Sequence, residues 1–152
     1  MTVEEQKRAL TLKFDRLSKR IAHGNPNDFS LQLPLILKSL DPEEHSMTCS
    51  FFVQKSFGNP HGIAHGGIIA SIMDIAQGAA VATYAEENRR MTTASLQISY
   101  LKSVRTGEKL YVRTKITKIG KTMVFCTAEA WQDEGDNTTL ATAIYHIGKY
   151  MA

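Results

Sequence analysis

The sequence predicts a single α+β domain in which an antiparallel sheet wraps around one long apolar helix. The segment Ile68–Tyr84 carries apolar side chains nearly all round, as a helix buried on most faces does. Stretches of alternating apolar and polar residues follow it, and these are typical of strands. With 152 residues, 43% of them hydrophobic and 22% charged, the chain is long enough to bury the core of one domain.

The first 40 residues are predicted to form an N-terminal helix and an irregular extension, ahead of a main domain over residues 41–152. Val3–Ile21 reads as an amphipathic helix, because Leu10, Phe14, Leu17 and Ile21 recur at steps of three and four. A Gly-Asn-Pro-Asn run then ends the helix. Residues 28–40 are apolar but include a proline, and we expect irregular chain or short helical turns there.

The main domain is predicted to begin with a strand at His45–Gln54 and to continue, after the long helix, with four strands in hairpin succession. In the first of these four, Ala94, Leu96, Ile98 and Tyr100 are expected to share one face. The four strands are predicted at residues 92–101, 109–119, 122–131 and 138–148.

Composition and charge argue against several classes of function. A net charge of +3 is too small to indicate nucleic-acid binding. The charged N-terminus lacks the apolar core of a signal peptide, and polar residues interrupt the long apolar stretch, so we expect a cytoplasmic protein that does not cross a membrane. Cys49 and Cys126 lack metal-binding spacing and are expected to be buried, reduced thiols.

Asp74 is the most informative residue, since it lies in the middle of the apolar helix. A carboxylate is rarely buried without a partner, because removing its charge from water costs several kcal/mol or more. Two interpretations stay open. Asp74 is a catalytic group facing a pocket, or it reaches a partly exposed rim or a structural hydrogen-bond donor.

A polar, glycine-rich loop precedes the helix. Gly66 and Gly67 let a ligand approach the backbone closely, and free N–H groups at a helix start can stabilise an oxyanion; an ordinary glycine turn is the alternative. Asn59 and His65 could hold a carbonyl oxygen or a nucleophilic water. His61 lies four residues before His65, but no helix would present the two together, so no metal site is predicted.

These residues form the pattern Asn59-x-x-Gly62-x-x-His65-Gly66-Gly67-x6-Asp74, which resembles the signature of PaaI-like acyl-CoA thioesterases with the hotdog fold. The resemblance continues through residues 92–101, Gly107-Glu108 and the Gly120-Lys121-Thr122 turn, and it covers roughly residues 45–148.

The resemblance implies hydrolysis of an acyl- or aryl-CoA thioester in sites shared by two subunits of a homodimer or homotetramer. Asp74 would be the general base or nucleophile, and Thr93 would help to position the water. Asn59, His65 and the Gly66 N–H would come from the other subunit and hold the thioester carbonyl. Gly120, Lys121 and Thr122 would lie near the CoA phosphates, and CoA itself would enter as part of the substrate, with no other cofactor and no metal.

Two alternatives remain beside the hydrolase. One is a hotdog dehydratase or hydratase acting on acyl thioesters, and the other is a non-catalytic acyl-CoA-binding protein. The presence of Asp74, Asn59 and Thr93 together favours the hydrolase. The residues expected to shape the acyl pocket are Ile63, Ile69, Met73, Gln77 and Met91.

Overall fold

Two α-helices and a six-stranded sheet make up the computed structural model, which describes residues 1–151. The helices are α1 (Val3–Ala22) and α2 (Gly66–Tyr84). The strands are β1 (Ile36–Asp41), β2 (Ser46–Val53), β3 (Arg89–Tyr100), β4 (Glu108–Ile119), β5 (Met123–Trp131) and β6 (Thr139–Tyr150). Single turns of 3-10 helix span Phe29–Gln32 and Lys55–Phe57.

The strands lie side by side in the order β1-β2-β4-β5-β6-β3, and every neighbouring pair is antiparallel. The predicted hairpin succession is therefore correct for β4, β5 and β6 but wrong for β3. Instead of pairing with β4, β3 lies beyond β6 at the far edge, where Thr93 is opposite Tyr145. Alternation identifies a strand but carries no information about its neighbours, which is why the sequence pattern missed this crossover.

Irregular chain or short helical turns were expected up to Leu40, and this prediction is only partly correct. The 3-10 turn at Phe29–Gln32 agrees with it, but Ile36–Asp41 forms the strand β1. β1 pairs along β2, with Leu40 opposite Met47, and it crosses the predicted boundary between residues 40 and 41. Leu40 is the one fully buried residue of β1, and the register with β2 shifts between Leu37 and Ser39. An edge strand with a register shift lacks the clean alternation that would have revealed it.

Helix α2 forms the centre of the core and packs against strands β2 to β6. Its side chains at Ile72, Met73, Ala80 and Val81 are completely or almost completely buried, which confirms the prediction of a helix enclosed on most faces. By length and composition α2 could also cross a membrane, with a mean hydropathy of 1.3. The core helix of a folded domain meets the same criteria, and the sheet covers this one.

Helix α1 docks onto the end of α2. A capping box between Thr2 and Glu5 begins α1, and Phe14 is its one fully buried side chain. The Lys13 ammonium donates a hydrogen bond to the carbonyl oxygen of Ala85, directly after the last turn of α2. Cations are favourable at that end because the helix dipole leaves it negative. Partial burial lowers the pKa of Lys13.

A bulge in β3 determines which way Thr93 points. Thr93 lies opposite Tyr145, whereas Ser95 lies opposite Ile144, so Ala94 is an extra residue without a cross-strand partner. A bulge of one residue reverses the alternation of side chains on either side of it. Ala94, which is exposed, is the extra residue at which the alternation reverses.

The bulge overturns part of the predicted face of β3. Leu96 and Ile98 pack against the core as expected, but Ala94 does not join them. With strict alternation, Thr93 would lie on the opposite face from Leu96. Because of the bulge, Thr93 faces α2 from the same side of the sheet as Leu96.

Cys49 and Cys126 are both buried and both free, as predicted. Burial raises the pKa of Cys49 to about 12 and that of Cys126 to about 11. Both groups are therefore thiols at neutral pH, and they pack as small apolar side chains.

Candidate active site

The carboxylate of Asp74 is half-buried on the face of α2 that turns toward β3 and β6. Two hydroxyl groups hold one of its oxygens. Thr93 Oγ1 donates to Asp74 Oδ1 at 2.9 Å, and the Tyr145 hydroxyl donates to the same oxygen at 2.7 Å. The hydrogen bonds among residues 1–151 leave Oδ2 without a donor. One oxygen thus fixes the orientation of the carboxylate, and the other is available for chemistry.

The sequence reasoning missed Tyr145. It lies directly opposite Thr93 in the sheet, with its side chain on the same inner face. Burial, and then the neighbouring Asp74 carboxylate, raises the pKa of Tyr145, so its hydroxyl stays protonated and acts as a donor. A signal was present, because a tyrosine on the buried face of a strand needs a partner for its hydroxyl.

Asp74 lies on the wall of a cavity with a volume of about 480 Å³. The cavity lies between α1, the segment 30–35, α2 and the inner faces of β3 and β6. Thr93 and Tyr145 join Asp74 in its lining, and most of the remainder is apolar. Asp74 therefore combines the two interpretations left open above, since it has structural donors and also faces a pocket.

The residues expected to shape this pocket are mostly elsewhere. Met91 lines the cavity, but Ile63, Ile69, Met73 and Gln77 do not. Three of these four are buried, and Gln77 donates a hydrogen bond to Cys126 Sγ on β5. The side of α2 that carries Ile69, Met73 and Gln77 packs in the core, whereas the side that carries Asp74 lines the cavity.

Asn59 organises the loop that precedes α2. Its side-chain oxygen accepts the backbone N–H of His61 at 2.9 Å and that of Ile63 at 3.4 Å. Gly62 closes the turn with a φ of +76°, a conformation that L side chains adopt only under strain. The hydrogen bonds of the described residues leave the Asn59 amide NH2 free to donate to a ligand.

His65 is the N-cap of α2, and its Nδ1 accepts the Gly67 N–H at 3.0 Å. Nδ1 thus acts as the acceptor that caps the first turn of α2. The Gly67 N–H is therefore occupied, whereas the Gly66 N–H has no acceptor among residues 1–151. Gly66 thus keeps the free donor at the helix start that an oxyanion site requires.

The two halves of the predicted constellation lie apart in one chain. Asp74 and Thr93 meet, while Asn59, His65 and Gly66 gather at the start of α2. Gly66 and Asp74 are eight residues apart on the helix, which is about 12 Å along the axis at about 1.5 Å per residue. A single carbonyl group cannot touch both groups of the same chain.

The Gly120-Lys121-Thr122 turn joins β4 to β5, as predicted. The Thr122 carbonyl accepts the Ile147 N–H at 2.7 Å, two residues along β6 from Tyr145. The turn is therefore at the same end of the sheet as Asp74. The Lys121 side chain is exposed.

Within residues 1–151, no group of three His, Cys, Asp or Glu side chains is arranged to hold a metal ion. His61 and His65, the histidines nearest to the site in sequence, are both exposed.

A family model described as "Thioesterase superfamily" matches residues 61–139, which include α2, β3, β4 and β5. This match covers more than half of the chain. The chain belongs to the thioesterase superfamily. Membership supports hydrolysis of a thioester, and the hotdog fold predicted from the sequence is confirmed.

Among relatives of this chain, acyl-coenzyme A thioesterase 13 of Mus musculus is 29% identical over 94 residues, which are 61% of this chain and 64% of the mouse protein. The E. coli PaaI protein of the phenylacetic acid degradation operon has a TM-score of 0.78 at 16% identity, with 95% of this chain and 96% of PaaI covered. A Streptococcus mutans UA159 protein, solved bound to acetyl CoA, has a TM-score of 0.70 at 18% identity, with 85% of this chain and 100% of that chain covered.

Proposed function

We propose that this thioesterase hydrolyses an acyl-CoA to the free acid and CoA, with Asp74 as the general base or nucleophile. One observation carries the proposal. Asp74 lines a cavity of about 480 Å³, with Oδ1 of its carboxylate held by Thr93 and Tyr145 and with Oδ2 free of any donor among residues 1–151. A carboxylate placed only for structure would have little reason to leave one oxygen without a donor beside a largely apolar cavity.

The reaction needs a new C–O bond and the loss of the C–S bond. In the general-base route, Asp74 Oδ2 takes a proton from a water whose oxygen attacks the thioester carbonyl carbon. The carbonyl oxygen gains negative charge, and the free Gly66 N–H at the start of α2 supplies a donor for it. Collapse of this intermediate breaks the C–S bond, and the proton held by Asp74 passes to the leaving CoA thiolate.

Two copies of the chain would form each site. Asp74 and Thr93 would come from one copy, and Asn59, His65 and Gly66 from the other. The separation of about 12 Å between Gly66 and Asp74 within one helix supports this arrangement. Strand β3 supports it as well, because this 12-residue edge strand has no fully buried residue, and a second chain could pair with its free edge.

The Gly120-Lys121-Thr122 turn would contact the CoA portion of the substrate. Its place at the same end of the sheet as Asp74 supports this role, and the exposed Lys121 ammonium would attract a phosphate. The fold shared with the S. mutans protein bound to acetyl CoA is consistent with CoA as the carrier. No cofactor other than this part of the substrate is proposed.

The test measures CoA released from a panel of acyl-CoAs by the wild type and by Asp74→Asn. We expect kcat to fall roughly a hundredfold or more, as loss of a general base or nucleophile typically causes. Asp15→Asn, the same change at an exposed position on α1, serves as the matched control and should keep the wild-type rate. An equal rate in Asp74→Asn would refute the role of Asp74. Tight acyl-CoA binding without CoA release would favour the non-catalytic binding protein.

A further inference from the structure

Helix α1 forms one side of the cavity beside Asp74. The α1 residues that line it, Phe14, Leu17, Ser18, Ile21 and Ala22, follow the spacing of one helix face. Phe14 at the start of this face is buried, whereas Ile21 near its end remains 36% exposed. The apolar side chains in the second half of α1 therefore face the cavity and do not pack against the core.

Helix α2 keeps that space open with small residues. Asp74, Gly78 and Ala82 recur at steps of four on the side that faces the cavity, and Ala79 lies beside them. Larger side chains at Ala79 and Ala82 would fill part of this cavity, and one at Gly78 would press on Met91 and Tyr145, which also line it. Interiors are normally packed without voids, because an empty apolar cavity destabilises the fold. A cavity of about 480 Å³ lined this way is suited to an apolar ligand.

The position of Asp74 indicates which part of the substrate enters. Apart from two serines, the polar lining consists of Asp74, Thr93 and Tyr145, and these three form one connected cluster. A thioester carbonyl placed at this cluster has an acyl group on one side and CoA on the other. CoA is polar and anionic and does not suit an apolar chamber, so the acyl group is the part that fits.

The length and volume of the cavity indicate which class of acyl group it holds. Ala82 lies eight residues beyond Asp74, about 12 Å along the axis. An extended chain advances roughly 1.2 Å per bond, so this length accommodates about ten carbons. The volume is sufficient for such a chain, since at about 30 Å³ for each water-sized group the cavity of about 480 Å³ holds roughly sixteen such groups. A phenylacetyl group holds its eight carbons in a compact shape, so it would not reach from Asp74 to Ala82 as an extended alkyl chain does.

We infer that this chamber between α1 and α2 binds the straight alkyl chain of a medium-length acyl-CoA, of about eight to twelve carbons, and that Leu17 and Ala82 set the accepted length. This inference rests on the proposed function and specifies its substrate. Leu17 forms the α1 wall, and Ala82 lies at the end of the α2 wall away from the carboxylate. Neither side chain makes a hydrogen bond to Asp74, so both can be changed without touching the reacting groups.

The test compares kcat/KM over straight-chain acyl-CoAs from two to sixteen carbons, and over phenylacetyl-CoA, for the wild type and three variants. Each added methylene that is buried should raise wild-type kcat/KM roughly fourfold until the chamber is full. Ala82→Leu adds three carbons to the far end and should move the optimum two or three carbons shorter. Leu17→Ala should move it longer. Leu12→Ala, an equal truncation of a 51% exposed α1 residue outside the lining, should leave the profile unchanged.

A wild-type optimum at acetyl-CoA or phenylacetyl-CoA would overturn the inference, as would profiles that neither Ala82→Leu nor Leu17→Ala moves. Either result leaves the proposed hydrolase intact so long as Asp74→Asn abolishes the activity. If the wild type released no CoA from any substrate, the proposed function would fail instead. The chamber would then be tested by binding, with decanoyl-CoA expected to raise the Tm of the wild type more than acetyl-CoA does and to do so less in Ala82→Leu.

Discussion

The Tyr145 hydroxyl lies 2.7 Å from Asp74 Oδ1 and 2.8 Å from the main-chain carbonyl oxygen of the same residue. It has one proton to donate, so it bridges the side chain and the backbone of Asp74 without saturating both. Together with Thr93, it limits the rotation of the carboxylate on the helix. Tyr145 is thus a positioning residue, which acts on the reaction through Asp74.

Tyr145→Phe should lower kcat about tenfold or more and leave KM close to the wild-type value. A hydrogen bond to a charged group contributes about 1.5–3 kcal/mol, and here it keeps Oδ2 aimed at the attacking water. The measurement is steady-state kinetics on decanoyl-CoA. Tyr111→Phe, which removes a hydroxyl from a half-buried tyrosine stacked on Trp131, is the matched control and should change neither constant. A fall in kcat/KM due entirely to KM would contradict the positioning role.

The sequence was sufficient to predict the helix-and-sheet architecture, because a helix apolar on nearly all faces must be buried and the alternating segments after it supply the strands that cover it. It was insufficient for the neighbours of β3. The pairing of Thr93 with Tyr145 joins residues far apart in the chain, and no local pattern records it. The bulge at Ala94 was also hidden, since alternation from Ala94 to Tyr100 looks regular until the partner strand is known.

Deleting Ala94 provides a direct test of the bulge. Removal of the extra residue restores strict alternation, so Thr93 or the apolar residues after it must turn to the opposite face of the sheet. We expect either a fall in kcat, because Asp74 loses its hydrogen bond from Thr93, or a fall in the free energy of unfolding of several kcal/mol from misplaced Leu96 and Ile98. Chemical denaturation and kcat measured on the same preparation distinguish the two.

Ala94→Ser keeps the residue count and should behave as the wild type, because the side chain at this position is exposed. Wild-type activity and stability in the deletion variant would mean that the bulge does not determine the orientation of Thr93.

The cysteines should be nearly unreactive in the folded protein. Burial raises the pKa of Cys49 to about 12 and that of Cys126 to about 11, so at pH 8 the thiolate fraction of either is on the order of one in a thousand or less. A chromogenic disulfide reagent should label both thiols within minutes in denaturant and only slowly without it. Rapid labelling of one thiol in the native protein would show that the sheet around it opens. Slow labelling also ensures a low background when the same reagent detects released CoA.

The site was predictable in part for a physical reason. Asp74 and Gly66 stand out in the sequence. Asp74 is a charged residue within an apolar helix, and Gly66 leaves a free N–H donor at the start of that helix. Tyr145 and the α1 wall are ordinary in sequence, because an alternating strand and an amphipathic helix both contain such residues. Their roles come from tertiary placement, which brings Tyr145 to Asp74 and leaves Leu17 facing a cavity.

Complementation between two inactive variants tests whether each site is shared by two chains. Asp74→Asn removes the base. Asn59→Asp keeps an oxygen acceptor for the His61 and Ile63 N–H groups but replaces the free NH2 donor by a negative charge, so it should also be inactive. If the two residues act across a subunit boundary, half of the dimers formed by random co-refolding are mixed, and each has one site with both residues intact. Activity should therefore recover to about a quarter of the wild-type value.

Size-exclusion chromatography and the Tm of each variant serve as controls, since both must match the wild type for the mixture to be interpretable. If Asp74 and Asn59 served the same site within one chain, every site in every mixed dimer would still lack one of them. The co-refolded sample would then show no more than the summed residual rates of the separate variants. That result would contradict the shared site, and with it the use of the Gly66 N–H of a second copy as the oxyanion donor.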